Sequence, residues 1–360
     1  MCSFYISNTS LYNYNLLSYH APPLPPLPTS PNADPDPLDL ENQNEECFIV
    51  RFNDTATHIA CGYSTGRLGI FNLTKPSQIE CPIITDFPIT CLRWKPYNRT
   101  TLLVVSADGS IHQIHSSTGK TLLKMHEKSN PIMCCDYSND GFLFVTGGND
   151  KKVRLYDDNT KTLISLLESK QYNLPEHSNR IFATKFHPMD TNVLVSGGWD
   201  NNILIYDIRT KAVQGSFYGP HICGDSMDIK GNTLLTASWE KKDQIQIFDL
   251  RMRKQMSVVQ CYHNEQGDKN GNTNFTYLYS CRFHPKQNVF AITGSNKNLM
   301  RVYTYKDINA ITGDNIEMEC ESKELDLPCY SVDFSYDGRL MAYGNADSMV
   351  RVVELRDNKK

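Results

Sequence analysis

At 360 residues the chain is long enough for two ordinary domains or for one large repetitive one. Apolar residues make up 40%, charged residues 21% and aromatics 10%, which supplies a packed core and excludes a mainly disordered chain. With 36 bases against 40 acids the formal charge is −4, which removes any bulk electrostatic case for nucleic-acid or membrane-surface binding.

The first 50 residues contain no Lys or Arg and six acids, from Asp34 to Glu46, and so form a separate N-terminal segment. Lacking a basic or Arg-rich amphipathic start, it predicts neither a secretory signal nor a presequence. No membrane insertion is expected, because apolar stretches such as Thr101 to Val105 fall far short of about 18 residues. Phe4 to Ser7 or Leu11 to Tyr19 is the candidate for a strand here. Pro22 to Pro37, with eight prolines in sixteen residues, reads as extended polyproline II. Within it, Pro22 to Pro28 is a candidate docking motif for a proline-reading domain, or else a stiff tether. No Lys or Arg flanks the prolines to complete the charged contact of the usual SH3 ligand.

Beyond residue 44 short strand-like runs end in an apolar residue followed by a polar one: Phe71-Asn72, Ile114-His115, Tyr156-Asp157, Tyr206-Asp207, Phe248-Asp249, Tyr303-Thr304 and Val353-Glu354. Their spacings of 43, 42, 50, 42, 55 and 50 give a base period near 42 with insertions. The fourth copy shows the internal order best. Ile181 to Phe186 is a strand, His187 to Asp190 a turn and Val193 to Ser196 a second strand. Gly197 to Asp200 makes a tight turn, Ile203 to Asp207 a third strand, and Ala212 to Phe217 a fourth. Four strands per 42 residues is the arithmetic of a propeller blade, and the predicted fold class is all-β, a seven-bladed β-propeller. The last copy stops after Leu355 without a fourth strand, so its open edge has to be covered from elsewhere.

From Asn44 to Asp357 these residues resemble the WD40 family. In that family an inter-blade His, a strand-two Ser or Thr, a turn Asp and a strand-three Trp form a hydrogen-bonded tetrad. The fourth copy matches His177, Ser196 and Asp200, with Tyr206 in the Trp place; the third matches Thr146, Asp150 and, less well, His126. The turn position reads Thr65, Asp108, Asp150, Asp200, Glu240, Lys297 and Asp347, and no strict Trp-Asp ending occurs. The resemblance implies that an N-terminal strand closes the last blade, and so divides the chain into a closing segment (1–21), a Pro-rich acidic linker (22–43) and the propeller (44–360). Tyr206-Asp207-Ile208-Arg209, Phe248-Asp249-Leu250-Arg251 and the weaker Val353-Glu354-Leu355-Arg356 resemble the ending of WD40 substrate receptors of cullin-RING ubiquitin ligases. The competing structural reading pairs each Arg with its neighbouring Asp at the outer edge.

No catalytic, cofactor-binding or metal-binding residue is assigned. His112 and His115 are three apart on a strand and so face opposite sides. His187-Pro188 and His284-Pro285 occupy the same turn of two blades, which argues for a repeated structural role. A Gly-rich phosphate loop opening a helix and a G-x-S-x-G elbow are both absent from the sequence. The twelve cysteines form no C-x-x-C and read as small buried hydrophobes of a reducing, cytoplasmic compartment. Lys151-Lys152, Lys241-Lys242 and Arg251 to Lys254 read as solvated turns, and Tyr262 to Asn274 as a loop.

The function expected is a non-catalytic protein-interaction scaffold. Trp199 and Trp239 hold equivalent turn positions in adjacent blades. Met133, Phe182, Tyr279 and Tyr330 hold the position that, by resemblance to WD40 peptide binders, lines the channel mouth. Together these six form the expected protein-binding site. The Asn-, Lys- and Tyr-rich composition resembles that of ciliate or other AT-rich protist proteins, and by that association points to a cytoskeletal or ciliary assembly.

Overall fold

A computed structural model describes residues 4–6, 12–20, 45–75, 79–80, 82–170, 174–261, 275–296, 298–308, 311, 315–322, 325 and 327–357. The Pro-rich stretch, Tyr262 to Asn274 and the turn residue Lys297 lie outside these. The described strands form seven antiparallel sheets; five are in consecutive strand order, each a local meander, and the other two, blades 6 and 7, are meanders with an N-terminal strand added at the outer edge. Their innermost strands are Cys47–Phe52, Ile89–Trp94, Ile132–Tyr137, Ile181–Phe186, Met227–Lys230, Tyr277–Phe283 and Cys329–Phe334 in blades 1 to 7. Each innermost strand contacts those of both neighbouring blades, and the last contacts the first.

The ring closes as the missing strand requires. Tyr12–His20 pairs antiparallel with Met349–Asp357 over nine residues as the fourth strand of blade 7. The other N-terminal candidate does different work: Phe4–Ile6 adds a fifth strand to blade 6, beside Ile316–Ser322.

The core is divided. Seven apolar clusters each draw on two consecutive blades, one cluster per interface. Close approach is set by glycine on the second strand: a Cβ at Gly62 would lie 2.4 Å from Ile89, and one at Gly147 would lie 2.8 Å from Ile181. Eight cysteines, among them Cys61, Cys91, Cys135 and Cys281, are buried in these wedges.

Candidate functional site

The face bearing the turns between second and third strands carries the polar networks. In blade 4, His177 Nδ1 lies 2.8 Å from the Asp200 carboxylate and Nε2 lies 2.6 Å from the Ser196 hydroxyl, which is 3.1 Å from the Tyr206 hydroxyl. The Ser178 amide donates to the same carboxylate at 2.9 Å. Burial opposes ionisation of Asp200, but the bond and charge of His177, with the Ser178 and Asn202 amides, hold its pKa below the usual value. Asp200→Ala is expected to cost about 1–3 kcal/mol by stranding these donors. A depressed carboxyl stabilises above its unfolded pKa and loses that effect as pH falls through the folded value, so the variant's deficit in denaturant midpoint should shrink in acid. An undiminished midpoint at neutral pH would remove the network's structural role.

Blade 3 departs from expectation by one residue. Glu127, not His126, takes the inter-blade place: it accepts from Thr146 at 2.5 Å, from the Tyr156 hydroxyl at 2.9 Å and from Asn130 at 2.6 Å. Arg154 bridges it, at 3.2 Å, to Asp150. An acid in place of His asks for a cation opposite, and blade 1 repeats the solution with Glu45 on Arg67. The two His-Pro turns share one role, the ring Nδ1 of His187 and of His284 accepting amides of its own turn, two and three residues on, at 2.9–3.2 Å. His112 is buried against Ser110 at 2.9 Å, and among the described residues no His, Cys, Asp or Glu group fits a metal. Arg209, 69% exposed, folds back onto Asp207 at 2.6 Å, the structural use of that ending; Arg251 is exposed at the blade's outer edge.

All six sequence-assigned residues are half-buried. Met133, Phe182, Tyr279 and Tyr330 share a geometric cause. The ladder between first and second strands skips each of them, as it skips Phe48 and Thr90, so each is the bulged residue at the start of an innermost strand. Phe182 stacks on Trp199 at 5.1 Å, Trp199 on His221 at 5.8 Å, His221 meets Trp239 at 6.3 Å, and Trp239 stacks on Tyr277 at 4.6 Å. Tyr330 joins Tyr279 and Phe48 edge-to-face at 5.3 and 5.5 Å. The first run crosses blades 4 to 6 and the second blades 6, 7 and 1; Met133 has no ring contact in either. His221 and Tyr277, which complete the first run, were not assigned from sequence. Tyr277 opens the innermost strand of blade 6 and His221 lies ahead of that of blade 5 across its insertion, both at the place of Arg180 in blade 4, and there the backbone carbonyl accepts the turn amide in blades 4 and 5.

A second feature escaped assignment. The residue before the closing apolar position of every innermost strand is charged: Arg51, Arg93, Asp136, Lys185, Asp228, Arg282 and Asp333. Neighbours pair across blades 2–3 (Arg93–Asp136, 2.9 Å), 4–5 (Lys185–Asp228, 3.2 Å) and 6–7 (Arg282–Asp333, 3.5 Å). Each acid also accepts a backbone amide of the next blade, Phe186, Phe283 or Phe52, at 2.8–2.9 Å. Seven being odd, Arg51 is left over. A two-residue insertion in blade 5, Gly224-Asp225, supplies an eighth charge, and the Asp225 carboxylate meets Arg51, Arg282 and, at 2.8 Å, Arg93. Gly224 makes this possible: its φ is +93° and a Cβ there would lie 2.7 Å from the Tyr279 carbonyl. Burial, then the charges of Arg282 and Arg93, lower the pKa of Arg51.

Comparison with known proteins agrees with this architecture. The family model for the WD domain, G-beta repeat, matches residues 118–157 and 168–207. The chain is 24% identical over 196 residues to cell division cycle 20.1, cofactor of APC complex, of Arabidopsis thaliana, covering 53% of this chain and 40% of that protein. It is 26% identical over 198 residues to meiotic fizzy-related protein 2 of Schizosaccharomyces pombe, covering 53% and 37%. The chain thus spans about two fifths of the length of these two relatives. It is also 21% identical over 273 residues to a guanine nucleotide-binding protein subunit beta of Zea mays, covering 72% and 67%.

Proposed function

We propose that this chain, a WD40-repeat protein with divergent repeats, is a non-catalytic platform that holds protein partners within an assembly. The observation that carries the reading is the run of half-buried rings from Phe182 through Trp199 and Trp239, with Tyr279 and Tyr330 beside it, on one face of a stiff closed ring. Aromatic side chains with one part packed and another in solvent offer large contact area at small entropic cost, the property of interface hot spots. The relatives' names agree in kind, one being a cofactor of a complex and another a subunit. No helix among the described residues is long and apolar enough to cross a membrane. The composition favours a cytoskeletal or ciliary assembly in the cytoplasm.

Affinity purification of the full chain, wild type against Trp239→Ala and Tyr330→Ala, tests the reading. Each variant should keep its melting transition and lose most of the partners recovered by the wild type. Intact recovery from both folded variants would move the site off this face, and recovery of substrates converted in vitro would replace a platform with an enzyme.

A further inference from the structure

The aromatic face has an electrostatic character that the overall charge of −4 hides. Most of its carboxylates are turned inward, while Asp86, Glu176 and Asp243 are exposed. Glu45 is bound by Arg67, Glu127 and Asp150 by Arg154, Asp200 by His177, Asp347 by Arg351, and Asp108 by the Thr85 hydroxyl. Four of its lysines are turned outward. Lys151 and Lys152 on the blade 3 turn, and Lys241 and Lys242 on the equivalent blade 5 turn, are exposed and make no ion pair among the described residues. Arg180 lies over the Trp199 ring at 4.9 Å and Lys241 over Phe275 at 5.0 Å, so cations flank both ends of the first aromatic run. These rings also lie face against face, with interplanar angles of 20–35° from Phe182 to Tyr277, so ring edges are what remain for a partner. Ring edges carry the positive end of the quadrupole.

We infer that the partner segment this face receives is an acidic peptide with an apolar or proline anchor, the anchor on the ring edges and the flanking carboxylates on Arg180 and Lys241. The inference rests on the reading of this face as a partner site. A peptide is favoured over single-stranded nucleic acid because bases need open ring faces to stack upon, and along the run from Phe182 to Tyr277 those faces are turned to neighbouring rings.

The test is fluorescence polarisation of the full chain with labelled synthetic 12-residue peptides. Each peptide carries a central Leu-Pro or Trp flanked by Asp/Glu, by Ser/Gly or by Lys/Arg, and a labelled oligothymidylate of equal length is run beside them. The acidic set should bind about tenfold tighter than the neutral set at low salt, with the gap closing as salt screens it. The pair Arg180→Glu and Lys241→Glu should erase the gap and leave neutral-set binding in place, while Trp239→Ala should weaken both sets. Equal binding of acidic and neutral sets overturns the acidic partner and leaves the platform reading standing. Failure of every peptide, or binding untouched by Trp239→Ala, overturns the face itself. Preference for the oligonucleotide replaces the peptide with nucleic acid.

Discussion

Asp225→Ala is expected to lower the unfolding free energy by about 3–5 kcal/mol, the scale for stranding buried charge by removing one partner. The Asp225 side chain is 8% exposed and sits among three guanidiniums. Arg93 and Arg282 keep Asp136 and Asp333, but among the described residues Arg51 has no second carboxylate at ion-pair distance. Alanine therefore leaves an unbalanced cation where water solvates it poorly. Two companion measurements distinguish this from loss of packing. Arg51→Met in the Asp225→Ala background should recover most of the loss, because it removes the cation that lost its partner. Added sulfate should raise the transition of Asp225→Ala more than that of wild type, by mass action on the emptied site. Strict additivity of the two substitutions, or a loss below about 1 kcal/mol, would mean that the cluster is not held by charge balance.

Deleting residues 1–21 should have an effect of at least that size. The deletion strips nine paired residues from Met349–Asp357 and leaves blade 7 with three strands and an open edge. At roughly 0.5–1.5 kcal/mol for each ladder hydrogen bond the loss amounts to several kcal/mol. The bared edge should also pair with other copies, seen as concentration-dependent species in sedimentation velocity. Deleting residues 1–10 alone removes only the three-residue addition to blade 6 and should cost about 1 kcal/mol with no change of association state. A monomeric 1–21 deletion with an unchanged melting transition would show that the ring does not depend on this strand.

What the sequence made legible follows from how each feature is encoded. The seven blades were readable because local meanders repeat apolar endings from Phe71 to Val353 in phase, and closure was readable because the last copy falls one strand short. Trp199 and Trp239 were readable as a pair because superposed copies align them. The residues that join them, His221 and Tyr277, differ in type from Arg180 at the same place, so no repeated letter marks the position. The charged position before each closing apolar residue was present in all seven copies, but it alternates in sign, and a search for identical residues passes over it. Asp225 has no counterpart in the other blades, since it belongs to an insertion; only the closed ring brings it to Arg51. The exchange of Glu127 for His126 is a matter of one residue's register, beyond what spacing resolves when a loop differs in length by two.

The alternation of charge around the axis also bears on how the repeat number stays fixed. Arrays of near-equivalent units readily gain or lose a member, and apolar wedges alone would accept many neighbours. Here the loss of blade 3 would set Arg93 beside Lys185, of blade 4 Asp136 beside Asp228, and of blade 5 Lys185 beside Arg282. Loss of blade 6 would set Asp228 beside Asp333, and of blade 7 Arg282 beside Arg51. Each of these five shortened rings would bury like charges at its centre, a repulsion that discriminates against the wrong neighbour, whereas loss of blade 1 or blade 2 sets Asp333 beside Arg93 or Arg51 beside Asp136 and meets no such repulsion. The axial residues thus act as an address for blades 3 to 7, and a descendant that lost one of these would have to rewrite that address to restore charge balance.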